Sequence, residues 1–238
     1  MRWEEMTPSD AVENADWIGA RLHPFAAYDV GAVVPTGFAA YARILHPASE
    51  WKDSHGTDVS WSQVAAWSGK TIHPLVQFHA IAAPTSGRDL GPRPWSGEPR
   101  EGTLSPRQVD ALARLARKHT TTPDACWFCL WEGYGYTAPG VTKDWRSLSR
   151  KRVTPNPQRA YLLFTGSVGD AVGWEDGPNL WWPDERAWCV ASEIDHPYSY
   201  VGGSDALIKE LLADPEIEAL PAKLEDGITY DTDRINEP

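Results

Sequence analysis

The chain has 238 residues, of which 42% are hydrophobic and 13 are tryptophan, and a formal charge of −11. Its length and apolar content suit one large domain or two small ones, whereas a general nucleic-acid binder needs a basic surface to displace counterions. No apolar run reaches the roughly 18 residues of a membrane span, the amino terminus lacks an apolar signal core, and three cysteines predict no disulfide framework.

The expectation is therefore a cytoplasmic protein, with neither membrane nor nucleic acid as partner. Residues 1–83 read as an amino-terminal α+β subdomain. "VGAVVPTGFAAYARIL" predicts a hairpin, with one strand over 30–34, a turn at Pro35-Thr36-Gly37, and a second strand ending at Leu45. In that second strand Tyr41, Arg43 and Leu45 share one face, and Ala40, Ala42 and Ile44 the other. "SWSQVAAWSG" predicts a short helix with Ser60 as its cap and Gly69 as its stop. "LVQFHAIA", residues 75–82, alternates as a further strand.

Residues 84–106 hold five prolines and four glycines in 23 positions, which predicts a long loop or linker. Charge is uneven around it. Residues 88–152 carry 12 Lys/Arg against 7 Asp/Glu, while residues 205–238 carry 10 acids against 3 bases. The basic "KDWRSLSRKR", residues 143–152, reads as solvated loop.

Residues 107–226 read as a carboxy-terminal α+β subdomain packed on the first. Its helix is signalled by Ser105 as cap, Pro106 at the first helical position and Gln108 completing a capping box. Val109, Leu112, Ala113 and Ala116 then form a core-facing stripe. Strands are expected at 126–131, 160–165 and 187–194, and a second capped helix at 205–213 behind Ser204. Residues 227–238 are expected to fray as a tail. Hairpins outnumber βαβ units, so the expected fold is α+β. It has a largely antiparallel mixed sheet, a few flanking helices and long Pro/Gly-rich loops.

"DACWFCLWEGYGY", residues 124–136, looks most like chemistry. On a strand, positions three apart point to opposite faces, so Cys126 and Cys129 cannot chelate one ion. Trp127 and Phe128 between the thiols also make a poor knuckle turn. The stretch reads as a core strand with no metal, leaving Glu132, Tyr134 and Tyr136 at its exit as ligand candidates. "CVASEIDHPYSYVGGSDALIKELL" places Glu193, Asp195 and His196 together, fit for acid–base or metal chemistry. Gly202 and Gly203 before a helix would let backbone N–H groups approach an anion. Nucleotide-loop, dinucleotide, zinc-protease and serine-hydrolase motifs are absent, and no cofactor is implied.

"VGAVVPTGFAAYARILHP", "CWFCLWEGYG", "RAYLLFTG" and "NLWWPDERAWCVASEID" are similar to segments of uncharacterised proteins from high-GC bacteria. In general layout the chain also resembles small α+β immunity proteins of the SUKH type. That resemblance implies a sheet and loops gripping a protein partner.

The residues lean away from an enzyme and toward a protein-binding module, immunity-like or regulatory. Its expected contacts are Trp131, Tyr134, Tyr136, Trp181 and Trp182. One alternative is a hydrolase or metal-dependent enzyme built on Glu132, Glu193, Asp195 and His196, with Arg43 or His79 added. Another is a small-molecule sensor with an aromatic-lined pocket.

Overall fold

The computed structural model describes residues 7–52, 55–83, 90–134, 151–156, 158–174 and 177–236. Eleven strands are described among them: β1 (Thr7–Ser9), β2 (Ala40–Leu45), β3 (Ala48–Lys52), β4 (His55–Val59), β5 (Cys126–Trp131), β6 (Val153–Asn156), β7 (Arg159–Gly166), β8 (Leu180–Pro183), β9 (Cys189–Ser192), β10 (Tyr198–Gly203) and β11 (Ala219–Ala222). The helices are α1 (Asp16–Arg21), α2 (Trp61–Ser68), α3 (Phe78–Ala82), α4 (Pro106–Ala116) and α5 (Asp205–Ala213).

Nine strands form one antiparallel sheet in the order β1-β7-β5-β8-β9-β10-β2-β11, with β6 beside β7. β3 and β4 make a separate hairpin. The fold is α+β with an antiparallel sheet. β2, from early in the chain, lies between β10 and β11, so the sheet takes strands from both sides of the Pro/Gly-rich segment. None of the described helices is long and apolar enough to cross a membrane.

Strand alternation sorts the core into two clusters, one on each face. Ala42 and Ile44 of β2, Phe128 of β5, Trp181 of β8, Val190 of β9 and Val201 of β10 pack with α4 and α5. Tyr41 and Leu45, Cys129, Trp182, Cys189, and Tyr198 with Tyr200 face the other way, against α1, α2 and α3. Cys126 belongs to the first cluster and Cys129 to the second. The two thiols therefore lie on opposite faces of β5, as its extended backbone requires, and both are free and buried.

The capped helices form where local chemistry demands them. Ser60 and Ser105 each accept a hydrogen bond from the third helical N–H, and Gln63 and Gln108 each accept one in return from the cap's backbone N–H. Gly69 ends α2 in the left-handed conformation, at φ 74°. Ser204 caps α5. A distant residue completes α2: both Glu218 oxygens accept from its first backbone N–H groups, Trp61 N at 2.6 Å and Ser62 N at 2.8 Å, where a carboxylate meets the positive end of the helix dipole.

Three expectations are corrected. The strand expected over 30–34 is a 3-10 turn, Val30–Ala32, capped by the Asp29 side chain. The N–H groups of Val30 and Gly31 are taken by Asp226 O and Leu224 O, 2.9 and 3.0 Å away, and a β-carbon at Gly31 would meet the His23 ring at 2.4 Å. The strand expected over 75–82 contains α3 instead. Phe78 and Ile81, three apart, are both buried, and Phe78 sits edge-on to Trp61 and Trp95 at 5.4 and 6.0 Å. So short an apolar run fits either period until its neighbours choose. The tail does not fray over residues 227–236. Asp233 and Asn236 are each only 2% exposed and bind the segment before α3, as described next.

Candidate functional site

The carboxy-terminal segment is held by its backbone at one end and a buried carboxylate at the other. Ile228 N donates to Tyr28 O at 3.0 Å, and Tyr198 Oη donates to Ile228 O at 3.1 Å. Further on, Asp233 binds His73 Nε2 at 2.8 Å and accepts from Gln77 N at 3.1 Å and Asn236 N at 2.9 Å. Asn236 closes the clip, exchanging hydrogen bonds of 2.9 Å with the backbone of Thr71. Burial opposes ionisation of Asp233, but these hydrogen bonds outweigh it and lower its pKa.

This clip leaves an open cleft of about 520 Å³ on the second face. One wall is the 3-10 turn Phe25–Ala27 with Tyr28, and another is the start of α3 with Gln77, Phe78 and His79. Glu98 and Glu101 approach from the Pro/Gly-rich segment. Glu193, Asp195 and His196 come from the β9–β10 connection, and Ile228 to Tyr230 from the tail. His79 and Tyr230 stack, with centroids 3.6 Å apart and planes 7° from parallel.

Arg159, at the start of β7, organises the acidic side. Its Nε lies 2.9 Å from Glu193 Oε1, and its Nη2 lies 2.5 Å from that oxygen and 2.8 Å from Asp195 Oδ2. Burial pushes the Glu193 carboxyl up, against the pull of Arg159. Burial likewise pushes His196 down to about 4, reinforced by the nearby Arg43 charge, so its ring is neutral at pH 7. His196 Nδ1 is buried without a hydrogen-bond partner among the described residues. The His79 imidazole is lowered by burial too.

Of the site residues expected from the sequence, the fold brings Glu193, Asp195, His196 and His79 to this cleft. β9 ends at Ser192, so Glu193 and Asp195 sit in the connection beyond it rather than on a strand face. Arg43 lies behind the lining. It is 3% exposed, donates to Pro74 O at 2.9 Å and stacks on Tyr198 with its Cζ 3.6 Å from the ring centroid.

The others fall outside. Glu132 is paired with Arg152 at 2.7 Å. Trp131 packs edge-on to Tyr134 at 5.1 Å, and Tyr134 Oη accepts from Asn179 Nδ2 at 3.1 Å. Trp181 and Trp182 are each 1% exposed and cannot be contact residues. β8 is an interior strand, so one indole packs on each face of the sheet. Tyr136 and most of the basic 143–152 segment lie outside the described residues. Gly202 and Gly203 belong to β10 rather than to an anion-binding turn. A β-carbon on Gly202 would meet the Phe38 ring at 2.5 Å, so tight packing accounts for that glycine.

Sequence reasoning missed Tyr28, Glu98, Glu101, Arg159 and Tyr230. They are scattered over about two hundred positions and carry no local pattern. Among the described residues, no group of three or more His, Cys, Asp or Glu is placed to hold a metal ion. Burial raises all three thiols, Cys126 to about 12, so none is a ready nucleophile. No family model, no curated protein and no solved structure matches this chain.

Proposed function

We propose that this protein is a non-enzymatic binding protein that takes a small-molecule ligand into the cleft between α3, the β9–β10 connection and the carboxy-terminal segment. The observation that carries this reading is the placement of exposed aromatic surface. Among the described residues only four large apolar side chains are exposed. Two of them, Tyr28 at 55% and Tyr230 at 74%, flank this cleft. Exposed apolar surface gathered around a concavity marks a binding site far better than apolar residues scattered singly. The cleft volume also falls in the usual range for small-molecule sites.

The tryptophans support it by default. None of the ten whose side chains are described is exposed; six are buried and four half-buried. They build the core rather than a gripping surface. The cleft lining includes no serine or cysteine, and Arg159 ties up Glu193 and Asp195, the two carboxylates nearest His196 in the chain. An acid–base enzyme is the second reading, favoured by the raised Glu193 carboxyl beside a neutral His196.

The test is a thermal-shift screen of small organic compounds against the wild type and Tyr230→Ala. A ligand at 100 times its Kd stabilises by about 2.7 kcal/mol. Compounds that raise Tm for the wild type and lose that effect in the variant support the cleft. Compounds that stabilise both proteins equally count against it. A turnover abolished by Glu193→Gln would move the choice to the enzyme.

A further inference from the structure

We infer that the ligand of this cleft carries an alkylammonium cation, held by Glu98 and Glu101 against the His79–Tyr230 stack. The inference rests on the binding reading above and adds the chemical class of what is bound.

The charge inventory is lopsided. Four carboxylates line the cleft, those of Glu98, Glu101, Glu193 and Asp195, against one guanidinium, Arg159. That guanidinium is already committed to Glu193 and Asp195. Glu98 and Glu101 are exposed and make no hydrogen bond or ion pair among the described residues. Two further cations, Arg43 behind Tyr198 and Arg100 beside Glu101 in the chain, take no part in the lining. An anionic ligand would meet net repulsion, and a neutral one would leave Glu98 and Glu101 unused.

The aromatic wall selects within the cations. The His79–Tyr230 stack and Tyr28 present flat rings on the same cleft as Glu98 and Glu101. Burial lowers the His79 imidazole and so favours its uncharged ring, which adds π surface to the stack. A cation over the face of a tyrosine gains affinity beyond its ion pairs. A hydrated metal ion needs converging oxygens and would gain nothing from the rings, whereas an ammonium on an apolar stem uses both.

Three probes of equal length separate charge from shape: 4-phenylbutylammonium, 4-phenylbutan-1-ol and 4-phenylbutanoate. Each is titrated into the full chain at near-physiological salt while the amide resonances of Ile228, Thr229 and Tyr230 are followed. The expected result is that the ammonium binds about tenfold or more tighter than the alcohol, the size of a modest ion-pair and cation–π contribution, and that the carboxylate does not bind. The Glu98→Gln/Glu101→Gln double variant, altered only at exposed positions, then loses that preference, and Tyr230→Ala weakens the ammonium several-fold.

If the alcohol or the carboxylate binds as tightly as the ammonium at these amides, the cleft stands as a binding site and the cation inference is overturned. It is overturned equally if the double variant keeps the full preference. If none of the three probes shifts those amides, the binding reading falls with it.

Discussion

The two faces of the sheet are built differently. The face under α4 and α5 is covered by amphipathic helices whose apolar stripes match the sheet, giving a closed aliphatic and aromatic core. The opposite face is covered by short helices, 3-10 turns and the carboxy-terminal segment, and it holds most of the buried tyrosines together with Arg43 and the cleft. Regular helices tile a sheet without gaps, because their side chains interdigitate along a continuous stripe. Short pieces joined by turns leave concavities and bring polar backbone to the surface. The candidate site sits where the covering is irregular.

Five substitutions would break or sharpen this contrast. The largest effect is expected from Trp181→Ala and Trp182→Ala, neighbours on β8 that project to opposite faces. Each removes a fully buried indole and should cost about 3–5 kcal/mol in urea unfolding. A much smaller loss for Trp182→Ala would mean that the second face is not a true core.

Next comes Asp233→Ala, which strips the clip of its shared acceptor and should cost about 2–3 kcal/mol by leaving buried donors unpaired. Faster hydrogen exchange at Gln77 and Asn236 would report the release. The pH dependence has a definite sign. The folded pKa of Asp233 is lowered from 3.8, so its contribution is present above the unfolded value and is lost as pH falls through the folded one. The wild-type advantage over the variant should therefore hold at neutral pH and narrow only below about pH 4.

Removing a cap tests the regular side. Ser105→Ala deletes the acceptor for Gln108 N and should cost about 1 kcal/mol in the same unfolding assay. The smallest change is expected at the cleft rim. Tyr230→Ala, at a position 74% exposed, should alter stability by less than about 0.5 kcal/mol. Its effect belongs on ligand affinity, and a large stability loss there would identify the ring as structural.

How much is legible in the sequence follows the same division. α2, α4 and α5 are legible because their caps, stripes and stops lie within a dozen residues of one another. β5 is legible from its run of strand-forming residues, and with it the separation of Cys126 from Cys129. α3 is not, since a five-residue apolar helix has no period of its own. The clustering of Glu193, Asp195 and His196 is visible as adjacency in the chain. Arg159, which ties Glu193 to Asp195, is not visible, because its partners lie 34 and 36 positions away. Trp181 and Trp182 mislead as expected contacts because an abundance of tryptophan says nothing of its exposure.

By itself the amino-acid sequence determined the elements whose causes are local: capped helices, alternating strands, the antiparallel α+β class and the opposed thiols. Hydrogen bonds to the backbone and side-chain periodicity act over a few residues and need no partner from elsewhere. Only the tertiary structure decided the cleft. Its walls come from positions 25 to 230, and its tail wall is kept in place by one carboxylate bound across 160 residues to His73. Contacts at that separation become visible only once the chain has closed on itself.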